Sequence, residues 1–101
     1  MFTYQIYLSN NGLKVFENSK EILRSNTPLV IRDYRKSEDG VKFNVITDKE
    51  KVSTLEVGSL EELSYEVKIG TKTMKTKAKE GKIPIQFPAT PEGLDIKILR
   101  V

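Results

Sequence analysis

A chain of 101 residues with neither cysteine nor histidine has room for one domain, residues 1–101, and cannot build a disulfide, a Ser-His or Cys-His nucleophile, or an ordinary zinc site. Its 17 Lys and Arg stand against 14 Asp and Glu, a formal net charge of +3 with both signs interspersed. That balance predicts ordinary solubility and argues against a nucleic-acid groove. No apolar run approaches membrane-spanning length, so no membrane partner is expected. The opening MFTYQIYLSN lacks the basic leader and cleavage site of a signal peptide, which points to a cytoplasmic protein or a piece of a longer chain.

Phe2, Tyr4, Ile6 and Leu8 alternate with Thr3, Gln5 and Tyr7, which predicts a first strand with its even positions facing inward. Ser9-Asn10-Asn11-Gly12 is turn chemistry, and Leu13 to Glu17 reads as the returning strand of a hairpin. Asn18-Ser19-Lys20 turns again before the apolar pair Ile22-Leu23; one helical turn over NSKEILRS is conceivable but not favoured. Ser25 to Pro28 then breaks the chain. Leu29-Val30-Ile31, continuous and rich in β-branched residues, predicts a well-buried strand near the centre. Asp39-Gly40 is a hairpin signal that pairs this strand with the alternating Val41, Phe43 and Val45.

Asp48 to Lys51 reads as a charged loop. In the strand Val52 to Val57, Leu55 and Val57 share one phase and Val52 takes the other, which predicts a bulge near Ser53-Thr54. In Leu60 to Gly70, Tyr65, Val67 and Ile69 alternate with Ser64, Glu66 and Lys68 as in a half-buried strand. Gly70-Thr71 turns into Lys72 to Lys79, with Met74, Thr76 and Ala78 on one face and Thr73, Lys75, Lys77 and Lys79 on the other. Glu80-Gly81 turns once more. Ile83, Ile85 and Phe87 form a strand that Pro84 confines to an edge or a bulge. After the loop from Pro88 to Gly93, Leu94, Ile96 and Ile98 close the chain. Turn signals at short spacing without a helical period predict an all-β, antiparallel β-sandwich of about eight to ten strands, with a barrel as the alternative.

Leu60, Tyr65, Val67 and Ile69 resemble the Leu-x-Pro-Gly-x-x-Tyr-x-Val-x-Val signature of fibronectin type III and other immunoglobulin-like modules. Here the Leu-to-Tyr interval is one residue shorter and Glu62 holds the proline position. The resemblance implies an immunoglobulin-like sandwich with a tyrosine corner, in which the Tyr65 ring fills the core edge and its hydroxyl bonds back to the turn. Asp39 to Phe43, Leu60 to Ile69, Glu80 to Ile85 and Ile96 to Ile98 are also similar to the β-sandwich modules that close many polysaccharide-processing enzymes. That likeness implies a non-catalytic appendage packed beside a catalytic domain.

Lysines 68, 72, 75, 77, 79 and 82 form the most basic stretch. Lys75, Lys77 and Lys79 could grip an anionic polysaccharide or a nucleic-acid backbone, although lysines also guard an exposed edge against pairing, which is the stronger reading. No aromatics interleave with them, which argues against a single-stranded nucleic-acid platform. Tyr7, Phe16 and Tyr34 fall out of phase with a core face. They could offer flat surfaces to a sugar, against the more ordinary reading of core or rim packing. Glu38-Asp39, Asp48 with Glu50, and Glu61-Glu62 are explained by turn chemistry, and their spacing enforces neither a hydrolytic pair nor a calcium site. The expectation is therefore a module with no catalytic residue, metal or cofactor, which packs against a protein domain of its own or a partner chain. A glycan-binding module using Tyr7, Tyr34 and the Lys72 to Lys79 face, or an adaptor pairing through an edge strand, are the alternatives.

Overall fold

The computed structural model describes residues 4–101 and contains ten strands and no helix there. The strands are β1 Tyr4–Ser9, β2 Gly12–Glu17, β3 Lys20–Ser25, β4 Val30–Ser37, β5 Gly40–Ile46, β6 Lys51–Val57, β7 Ser64–Ile69, β8 Lys72–Lys77, β9 Ile83–Ala89 and β10 Leu94–Arg100. A first five-stranded sheet runs β1-β2-β3-β6-β9 and a second runs β4-β5-β10-β7-β8. Every pairing is antiparallel. The fold is an all-β sandwich.

Period-2 alternation builds it. On β5, β7, β9 and β10, Val41, Phe43, Val45, Tyr65, Val67, Ile69, Ile83, Ile85, Phe87, Ile96 and Ile98 are buried in one apolar cluster with Leu55 and Val57 of β6. The turns follow their residue chemistry. Asn18 and Ser19 both take positive φ, 49° and 70°, the type I′ geometry that matches the twist of a two-residue hairpin; the segment NSKEILRS is thus a turn leading into β3. Pro84 lies on β9, which is an edge strand, as its missing N–H demands. The Tyr65 ring is buried and its hydroxyl donates to the Glu61 carbonyl at 2.9 Å, closing a tyrosine corner.

Several expectations are corrected. In β1 the even positions Tyr4, Ile6 and Leu8 are exposed, because β1 is an edge strand and an open cleft lies beside Tyr4 and Ile6, between them and Ile31 and Tyr34 of β4; Phe2 lies outside the described residues. Of Leu29-Val30-Ile31 only Leu29 is buried, since β4 is the edge of the second sheet and not its centre. No bulge interrupts β6, whose pairing with β9 runs unbroken from Lys51 to Val57. The inward position there is taken by Ser53, a buried polar residue that alternation of apolar residues cannot reveal. Its hydroxyl accepts from Thr27 Oγ1 at 2.7 Å, and Ser25 Oγ donates to the Thr27 carbonyl at 2.8 Å. These bonds fasten the β3–β4 crossover to β6. The bulge that matters lies in β4, between Arg32 and Arg35, where Asp33 has φ of 54°.

Candidate functional site

The structure separates the residues that the sequence offered as a site. Tyr7 stands on the outer face of the first sheet, its ring meeting Phe16 edge-on at 5.8 Å and 86°. Tyr34 is carried inward by the β4 bulge, packs against the core, and stacks on Phe43 at 6.1 Å. Burial, then the Glu17 carboxylate and Tyr4, push the Tyr34 hydroxyl well above the usual phenol range. The two tyrosines therefore share no plane and no face. Lys75 and Lys77 lie on β8, an edge of the second sheet, while Lys79 has left the strand and bridges Lys82 through its backbone. Tyr7 thus sits on the first sheet, while Tyr34 and the lysines belong to the second but to its opposite edges, β4 and β8, with the Tyr34 ring turned toward the core. Glu61 is engaged by Arg100, and Glu62 accepts from the Glu80 amide at 3.0 Å. Among the described residues no three carboxylates converge as a metal site would need.

What the fold does assemble is an open edge. A sandwich of this order has four edge strands, β1, β9, β4 and β8, and each exposes unpaired backbone groups that must be protected from pairing with another chain. On β8, Lys72, Lys75 and Lys77 are exposed; on β9, Pro84 and Pro88 are exposed. β4 is interrupted by its bulge and carries Arg32, Asp33, Arg35 and Lys36. β1, with the sequence YQIYLS, has no charge, no proline and an unbroken register with β2. Tyr4, Ile6, Tyr7 and Leu8 are 50%, 67%, 57% and 55% exposed.

No family model matches the chain, and neither a curated protein nor a solved structure is significantly similar to it. The reading of its surface therefore rests on its own geometry.

The register shows what the β1 edge can do. A two-residue turn, Asn10-Asn11, joins Ser9 to Gly12, and such a turn closes on a hydrogen-bonded pair. Counting back, Tyr7–Lys14 and Gln5–Phe16 are also hydrogen-bonded pairs, so the N–H and C=O groups of Tyr4, Ile6 and Leu8 point to the open side. Beside this edge the sandwich gapes in an apolar cleft of about 280 Å³, with Tyr4 and Ile6 on one lip, Ile31 and Tyr34 on the other, and Val15, Ile22 and Leu23 at its floor. The Tyr4 hydroxyl bonds to the Glu17 carboxylate, which raises its pKa. An incoming strand would find a row of free hydrogen-bonding groups flanked by apolar side chains. Sequence reading missed this because apolar alternation looks the same whether or not a second sheet covers it. The one usable signal was a strand without any of the charges or prolines that mark the other edges.

Proposed function

We propose that this protein is a non-catalytic, immunoglobulin-like β-sandwich module that docks on a partner protein domain through β1, the partner supplying an extended strand to the open edge. One observation carries the reading: three of the four edges are guarded by lysines, prolines or a charged bulge, and β1 alone is not. Strand addition of this kind takes its affinity from main-chain hydrogen bonds and its selectivity from alternate side-chain pockets, here the cleft that receives side chains between Ile6 and Ile31. The Tyr65 corner supports the immunoglobulin-like assignment. The module's role is to hold a partner domain in place within a larger assembly.

Ile6→Pro separates docking from folding. Its N–H faces the open side, so proline there removes a donor that β2 does not use, as edge strands tolerate. With a photo-crosslinking amino acid in place of Leu8 on β1, the chain in its native host should form a covalent adduct with a partner polypeptide. The same probe in place of Gln86 on β9 should form none, and Ile6→Pro should abolish the first adduct while leaving the circular dichroism spectrum intact. Equal adducts at both positions, or an adduct that survives Ile6→Pro, would refute docking through β1.

A further inference from the structure

The outer face of the second sheet gathers a row of cations that no stretch of sequence contains. The strand registers set Arg35 opposite Lys42, Lys42 opposite Lys97, and Lys97 opposite Lys68. One line across β4, β5, β10 and β7 is therefore basic at every strand, and all four side chains are exposed. Like charges directly opposed on a ladder destabilise it, so their succession across four strands is not accounted for by packing. Neutralisation is slight. Lys68 has Glu66 at 3.7 Å, and among the described residues Arg35, Lys42 and Lys97 make no ion pair. Asp95 is already engaged, accepting from Asn44 Nδ2 at 2.9 Å while Asn44 Oδ1 accepts from Arg32 at 2.9 Å. Arg35, Lys42 and Lys97 line a shallow groove of about 250 Å³ with Asn44, Asp95 and Asp33. Lys75, opposite Glu66, and Lys77, opposite Ser64, extend the same face on β8.

We infer that this face binds a linear acidic polysaccharide with one carboxylate per sugar, laid across the strands along Arg35, Lys42, Lys97 and Lys68. Neighbouring strands are about 4.8 Å apart, close to the length of one pyranose unit, so successive cations meet successive uronate carboxylates. Aromatic side chains are missing from this face because Tyr34 and Phe43 turn into the core, and without a stacking platform a single-stranded nucleic acid is the poorer fit. The site is on the second sheet and is independent of docking through β1.

Titration calorimetry with polygalacturonate oligomers tests it. Saturable binding that weakens as salt rises is expected, with dextran, the neutral comparison, showing none. The double variant K42Q/K97Q should bind at least ~10-fold more weakly, since two charge-assisted contacts are lost, and its melting temperature should not fall, because a like-charge opposition is relieved. K49Q/K51Q removes the same charge from elsewhere and should leave binding within about twofold of the parent, as bulk charge alone contributes little at screened distances. No binding of polygalacturonate, equal weakening in the two double variants, or tighter binding of an oligothymidylate would overturn the assignment.

Discussion

Phe87→Ala is expected to destabilise the fold by about 3–5 kcal/mol, the range for emptying an aromatic site in a well-packed core. Phe87 is 2% exposed and sits on β9 opposite Ser53. The cavity cannot collapse easily, because the neighbouring inward positions on β9, Ile85 and Ala89, are themselves buried in the same cluster. A domain of this size has a total stability of about 5–15 kcal/mol, so the variant should lose much of its margin. Urea unfolding reads the effect as a lower midpoint at unchanged slope. A loss below about 1 kcal/mol would mean that the two sheets are not packed face to face at this point.

The second large effect comes from backbone geometry. Gly40 begins β5 with φ of +143°, and a Cβ there would stand 1.9 Å from the Ile98 carbonyl oxygen. Ile98 cannot move aside, since β10 is held by β5 on one flank and β7 on the other. Gly40→Ala therefore combines a conformation that only glycine adopts readily with a backbone clash, each worth about 1–3 kcal/mol. The loss expected in thermal or urea unfolding is about 2–6 kcal/mol. Gly70→Ala is the control. Its φ is +60° and the nearest atom is the flexible Leu94 Cδ1 at 3.0 Å, so only the left-handed backbone term applies, about 1–2 kcal/mol. The two variants ranking in the opposite order would contradict the β4–β5 hairpin geometry.

Most of the architecture was legible in the residues, because strand alternation and turn chemistry are local. Tyr65, Val67 and Ile69 announce both their strand and its inward face, and Asp39-Gly40 marks the hairpin that the structure forms. Position within a sheet was not legible. Tyr4, Ile6 and Leu8 show the same alternation as Val41, Phe43 and Val45, yet the first set is exposed and the second buried, because strand order is decided by pairings between distant segments. Pro84 is the exception, since a missing donor restricts a strand to an edge wherever the chain runs. Core or rim packing is the favoured sequence reading of Tyr34, but its apparent outward phase is reversed because a single left-handed residue, Asp33, accompanies a one-residue register shift that turns the ring inward. The cation row lay beyond reach of the sequence for a related reason: Arg35, Lys42, Lys68 and Lys97 become neighbours only through the order β4-β5-β10-β7.

On the two proposals made above, the open edge and the cation row would serve different ligands. The first sheet ends in an uncharged strand with free backbone groups, suited to a polypeptide. The second presents a charged face suited to a polyanion. The two proposed surfaces lie on different sheets, so occupancy of one would leave the other open.

Amide hydrogen exchange along β1 tests the docking edge most directly. In the dilute isolated chain, Gln5 and Tyr7 should be protected by β2 while Ile6 and Leu8 exchange freely, an alternation that follows from the Ser9–Gly12 turn. In the native assembly, Ile6 and Leu8 should become as slow as their neighbours. If those two amides stay fast when the assembly is intact, β1 is not where the partner binds.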